Sequence, residues 1–214
     1  TEAGGTLELL GGSFTDVTLR QCKDNASARC GIMKPIKIEC ITGDPECTVD
    51  GLKKHACLAI TGVGGTNEEV ILKGLRIISG NAEEPGGALF IEDSTVSLIE
   101  VTIRDNEAEF GGGIWVEHST VTLTLTRLVN NFATHEGGGM HAISSDISIV
   151  GCFFNGNAAS SASDMFADEF CSLSFDRCPP GSKGNEDGTE KVVIVFEGTI
   201  LGDQISHDCS FCGE

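Results

Sequence analysis

The chain has 214 residues with 14 Lys and Arg against 32 Asp and Glu, and its formal net charge of −18 disfavours nucleic acid, anionic membranes and acidic polysaccharides as partners. No apolar run reaches the roughly 18 residues of a helical membrane span. Nothing after Thr1 reads as a charged region followed by an apolar one, which predicts either a cytosolic protein or a mature form whose targeting peptide is gone.

Residues 1–70 hold short strand-like runs at 6–10, 36–40 and 58–61, broken by cysteine-bearing turns, and are expected to form an N-terminal cap and the first coils of a larger array. Five of the ten cysteines fall here, at Cys22, Cys30, Cys40, Cys47 and Cys57. Asn25-Ala26-Ser27 matches the short N-glycosylation acceptor pattern.

Residues 71–178 repeat. The segments EPGGALFIEDSTVSL (84–98), EFGGGIWVEHSTVTL (109–123) and HEGGGMHAISSDISI (135–149) are versions of one another, and a period of about 25 residues marks a solenoid. Apolar positions alternate within each unit, as at Leu89 and Ile91, Val96 and Leu98, Ile114 and Val116, Val121 and Leu123. Period two belongs to strands, so helical solenoids are excluded. The pairs Gly86-Gly87, Gly111-Gly112 and Gly137-Gly138 supply the backbone freedom that corners require. Three short strands and three corners per coil predict an all-β fold, a right-handed parallel β-helix, with room for roughly seven or eight coils.

The motifs GGALF, GGGIW and GGGMH, with IRDN, LVNN and FNGN downstream, resemble the GGAI and FxxN repeats of polymorphic outer-membrane proteins and related pectate-lyase-like β-helix domains. The resemblance covers residues 71–158 and implies a right-handed β-helix. It implies little about activity, because such domains occur in adhesins, passenger domains and other secreted proteins.

Residues 179–214 begin with a loop by composition, PPGSKGNEDGTEK, most mobile at 181–188, and end in strand-like runs at 192–196 and 199–201 that are expected to close the C-terminal end. The whole chain is read as a single domain. Cys152, Cys171, Cys178, Cys209 and Cys212 form the second cysteine group. End coils lack a neighbour on one side, so covalent staples there make physical sense and imply an oxidising compartment, whether extracellular, periplasmic or thylakoid-lumenal. The disulfide candidates are Cys22, Cys30, Cys40, Cys47, Cys171, Cys178, Cys209 and Cys212, paired within each end group, with at least one thiol left free in each. Cys152 aligns by period with Val101 and Thr126 and reads as a small buried core residue. Cys209 and Cys212 have the spacing of half a zinc site, but no second such pair completes one.

Two columns follow from the period. If Leu89, Ile114, Met140 and Met165 point inward, then Phe90, Trp115, His141 and Phe166 point outward as an exposed ladder of rings. Contiguous exposed rings mark an interaction site, and this column is the expected binding face, unless a terminal arm covers it or the rings serve strand register alone. Asn81, Asn106, Asn131 and Asn157 recur at a corner and are expected to form a structural amide ladder.

Catalytic patterns are weak. No paired-carboxylate motif of a polysaccharide hydrolase occurs, and Arg104 and Arg127 are two residues out of alignment in adjacent coils. Asp93, His118 and Ser144 share a column, but no nucleophile elbow or oxyanion arrangement accompanies them. No catalytic or metal-binding residue is therefore assigned. Glu83, Glu84, Asp105, Glu107, Glu109 and Glu136 lie near corners and could take Ca2+, without a calcium-loop motif to support it. The expected function is that of a non-enzymatic scaffold without cofactor, binding a protein partner as an accessory subunit of a membrane complex or as a surface adhesin. A glycan is the other conceivable ligand, and the alternative is a polysaccharide-active lyase or hydrolase.

Overall fold

The computed structural model describes residues 5–9, 12–15, 30–41 and 47–176. These residues form an all-β parallel solenoid. The first sheet stacks seven strands in the order Gly5–Leu9, Ile36–Cys40, Val70–Lys73, Thr95–Ile99, Thr120–Thr124, Asp146–Val150 and Ser172–Asp176. The second sheet has six, Gly12–Thr15, Cys47–Asp50, Leu75–Ile78, Thr102–Arg104, Arg127–Val129 and Phe153–Asn155. The third also has six, Cys30–Ile32, Leu58–Thr61, Leu89–Glu92, Ile114–Glu117, Met140–Ile143 and Met165–Ala167. Each turn of chain contributes one strand to every sheet. Register partners run Val70, Val96, Val121 and Ile147, which places successive coils 25 or 26 residues apart.

Alternation explains the core. Leu89, Ile114, Met140 and Met165 stack in register with no exposed surface, as do Leu72, Leu98, Leu123 and Ile149 from the first sheet and Ile77, Ile103, Leu128 and Phe154 from the second. Each such side chain contributes roughly 1.5–3 kcal/mol by leaving water. The column is continuous, so no coil has a private core.

The corners explain the glycine pairs. Gly86, Gly111 and Gly137 have φ of 83°, 57° and 65°, the left-handed region that a glycine enters without steric cost. In the next coil Ala162 takes the same conformation at φ 51°. The second glycine of each pair answers to space instead, since a Cβ on Gly112 would lie 2.2 Å from the Phe132 carbonyl oxygen. A second left-handed column contains Asp93, His118 and Ser144, at φ of 46°, 47° and 46°. Immediately after it runs a serine ladder. Ser94, Ser119 and Ser145 each donate to the carbonyl two residues back, at 2.7, 2.7 and 2.6 Å, and each accepts a backbone N–H from the preceding coil.

The cysteines divide unevenly. Cys40 and Cys47 form a disulfide with Cα atoms 5.7 Å apart, joining the end of a first-sheet strand to the start of the next second-sheet strand near the N-terminal end. Cys57, Cys152 and Cys171 carry buried free thiols. Cys171, a disulfide candidate by sequence, is instead a free thiol that tucks against the Asp168 turn, where its N–H donates to the Asp168 carbonyl at 3.2 Å. Cys152 occupies the interior column of Val101 and Thr126, all three without exposed surface. Cys22, Cys178, Cys209 and Cys212 lie outside the described residues, and Cys30 begins the first strand of the third sheet.

Candidate functional site

The ring column forms in the expected register. Trp115 pairs with Phe90 on one side and His141 on the other, and His141 pairs with Phe166. Ring centroids are 4.6 Å apart between Trp115 and His141 and 4.4 Å between His141 and Phe166, within the range of favourable aromatic contact. The column is nevertheless not an exposed ladder. Trp115 is 9% exposed and His141 only 3%, while Phe90 and Phe166 at the two ends are half-buried.

The cover comes from the corner just before the third sheet. Phe110 stands directly ahead of Gly111, whose left-handed turn folds the chain back, and its ring meets Trp115 edge-on at 6.1 Å and His141 at 5.5 Å. On the other side Phe110 stacks on His135 of the following coil at 4.8 Å. His135 is exposed, with Nδ1 3.7 Å from a Glu109 carboxylate oxygen. The rings thus build outward in two layers, and the solvent-facing layer is Phe110 with His135. Burial pushes the His141 imidazole down to about 4, against a backbone hydrogen bond at Glu136 and the Asp168 charge, which pull it up. Trp115 Nε1 and His141 Nδ1 are buried without hydrogen-bond partners, so packing holds the Trp115 ring, and the bond to the Glu136 backbone is the polar tie at His141.

The amide ladder is real but shifted at its first member. Asn106 Nδ2 donates to Asn131 Oδ1 at 2.9 Å, and Asn131 Nδ2 to Asn157 Oδ1 at 3.1 Å. Each amide nitrogen also reaches a backbone carbonyl, at Ile77, Ile103 and Leu128 respectively. Asn81 stands outside the ladder. Ile103 pairs with Ile77 rather than Ile78, so Gly80 is the neighbour of Asn106, and its N–H donates to Asn106 Oδ1 at 2.8 Å. A Cβ on Gly80 would lie 2.0 Å from the Gly87 carbonyl oxygen, so no asparagine fits there. At the other end Asn157 Nδ2 donates to Asp164 Oδ1 at 2.9 Å, and Asp164 is a buried carboxylate whose second oxygen has no partner.

The remaining candidates do not converge. Asp93, His118 and Ser144 occupy one column because each fills the same left-handed corner, and the His118 side chain is 58% exposed there. Arg127 pairs with Thr102 and Arg104 with Val129, so the two arginines stand two positions apart along their strands. Arg127 instead lies over the Phe153 ring at 4.9 Å. Among the described residues no group of three or more His, Cys, Asp or Glu is placed to hold a metal ion.

Phe110, His135, Asp164 and the serine ladder were not singled out from sequence. The serines had a signal, since Ser94 and Ser119 recur one period apart. Phe110 had none, because its column reads Pro85, Phe110 and Glu136. No protein family, curated protein or solved structure matches the chain.

Proposed function

We propose that this chain is a non-enzymatic interaction protein, a rigid acidic β-helix that binds a protein partner in an oxidising compartment outside the cytosol. The observation that carries this reading is the two-layered ring cluster, in which Phe110 and His135 present an aromatic surface backed by the stacked Trp115 and His141. Rigid rings of this kind lose little entropy on binding and are favoured where one protein anchors another. The Cys40–Cys47 bridge supports the compartment. The repeats that resemble polymorphic outer-membrane proteins and pectate-lyase-like domains support a surface or lumenal role, as an adhesin or as an accessory subunit docked on a membrane complex.

Trp115 lies under the surface, so the informative substitutions are in the outer layer. Native protein purified with its bound partner should lose that partner on Phe110→Ala with His135→Ala, while Asp93→Ala, His118→Ala and Ser144→Ala retain it. Turnover of a polysaccharide by the purified chain, abolished by any of those last three, would replace this reading with an enzymatic one.

A further inference from the structure

The first sheet carries a different kind of surface from the ring cluster, and it lies on a different side of the solenoid. Its strands read TVSLI, TVTLT, DISIV and SLSFD. Val96, Leu98, Val121, Leu123, Ile147 and Ile149 point inward and are buried, so Thr95, Ser97, Thr120, Thr122, Thr124 and Ser148 point outward. They stand in register across in-line parallel strands, Thr120 beside Thr95, Thr122 between Ser97 and Ser148, and Thr124 between the outward aliphatic side chains of Ile99 and Val150.

Four properties of this face narrow its ligand. It carries few charges in a chain of net charge −18: Lys37, Glu39, Glu69 and Lys73 lie toward its N-terminal end, with the Glu69 carboxylate reaching Ser97, and beyond them Asp146 is the one charged outward side chain described on these strands. A face with few charges complements an uncharged surface. Its hydroxyls are unspent, for apart from Ser97, which bonds to Glu69, none of the six makes a side-chain hydrogen bond among the described residues. Its geometry is a net, about 4.8 Å between strands and about 6.6 Å between alternate residues. Threonine is stiff at χ1, so each methyl and hydroxyl is held in position before any ligand arrives.

A protein partner fits poorly. Four strands of five residues present about 300 Å2, against roughly 800 Å2 per partner in a stable complex, and threonine and serine are poor anchors. A neutral sugar polymer would be expected to stack on rings, and no aromatic side chain is described on this face. A rectangular net of hydroxyls and methyls at these spacings instead lies close to the repeat of oxygen atoms on a prism face of hexagonal ice. We propose that the outer face of the first sheet binds crystalline water, ordering a layer of water on its hydroxyls that continues into the ice lattice.

The purified full chain should shape ice crystals and inhibit ice recrystallisation beyond serum albumin at equal concentration. Thr122→Lys, at the centre of the net, and Thr120→Lys, at an exposed strand start, should each lose that activity. Thr102→Lys, an outward threonine of the second sheet, should retain it, with circular dichroism confirming the fold of all three. Wild-type behaviour indistinguishable from albumin, equal loss in Thr102→Lys, or adsorption to crystalline cellulose in place of ice would overturn the proposal. None of these results bears on the Phe110 and His135 surface, which is tested separately.

Discussion

His141 shows how one buried ring ties stability to pH. Its imidazole is pushed down to about 4 by burial between Trp115 and Phe166 beneath Phe110, whereas an unfolded histidine titrates near 6.5. Between these values the unfolded chain binds the extra proton and the folded one does not, so stability rises with pH across that window. The neutral ring's contribution is complete above about 6.5 and lost as pH falls toward 4, at most about 3 kcal/mol for a shift of this size. The groups that temper it are the Glu136 backbone and the Asp168 carboxylate. Thermal melts should therefore drop between pH 6.5 and 4, and His141→Phe should flatten that segment. A melt that falls equally in His141→Phe would place the titrating group elsewhere. At the Lys37–Glu39–Lys73 cluster the sign is the same, although here it is the charged form that the fold favours. Hydrogen bonds from Lys37 and Lys73 hold Glu39 down to about 2, so its contribution is present above pH 4.5 and lost only as pH falls toward 2. The two windows follow one another as pH falls, meeting near pH 4 to 4.5.

At the scale of strands and corners, much is legible in the sequence. Alternation at Leu89, Ile91, Val96 and Leu98 is what a strand with one buried face demands, and the same residues line the interior. The ring column and the Cys152 position also followed from period alone, because parallel coils in register turn spacing into adjacency. What failed to follow was set by contacts outside the period. Gly80 takes the ladder position because a backbone carbonyl from the next corner fills the space a side chain would need, and that displaces Asn81 by one residue. Phe110 covers Trp115 from a column whose other members are not rings, so no repeat announces it. The ladder makes the difference measurable. Asn131→Ala would strip partners from Asn106 N and Nδ2, from the Ile103 carbonyl and from Asn157 Oδ1, all buried, and should cost about 2–4 kcal/mol. Asn81→Ala removes no side-chain hydrogen bond among the described residues and should stay within about 0.5 kcal/mol. Chemical denaturation of the two variants checks this, and equal losses would restore Asn81 to the ladder.

Across the whole molecule, one continuous core means that thiols are guarded by the entire stack. Burial pushes Cys57 up to about 12 and Cys152 and Cys171 up to about 11, so none is a thiolate at neutral pH. Alkylation followed by peptide mapping should leave these three unlabelled in the native protein and label them together on unfolding. Labelling of any one under native conditions would mean that its coil opens independently. The amide ladder also gives the stack a direction. Every side-chain-to-side-chain bond of the ladder from Asn106 to Asn157 runs toward the C-terminal coils, so the two ends need different terminators: a backbone N–H at Gly80 and a carboxylate at Asp164. The middle coils are interchangeable links between these unlike ends. Copying the span 107–131 in tandem would lengthen the molecule by one turn and preserve the sequence of donors and acceptors, whereas ending the stack before Asp164 would leave the Asn157 amide short of an acceptor. Such a chain can grow from within and cannot be trimmed from that end, which makes its length a quantity adjustable by duplication alone.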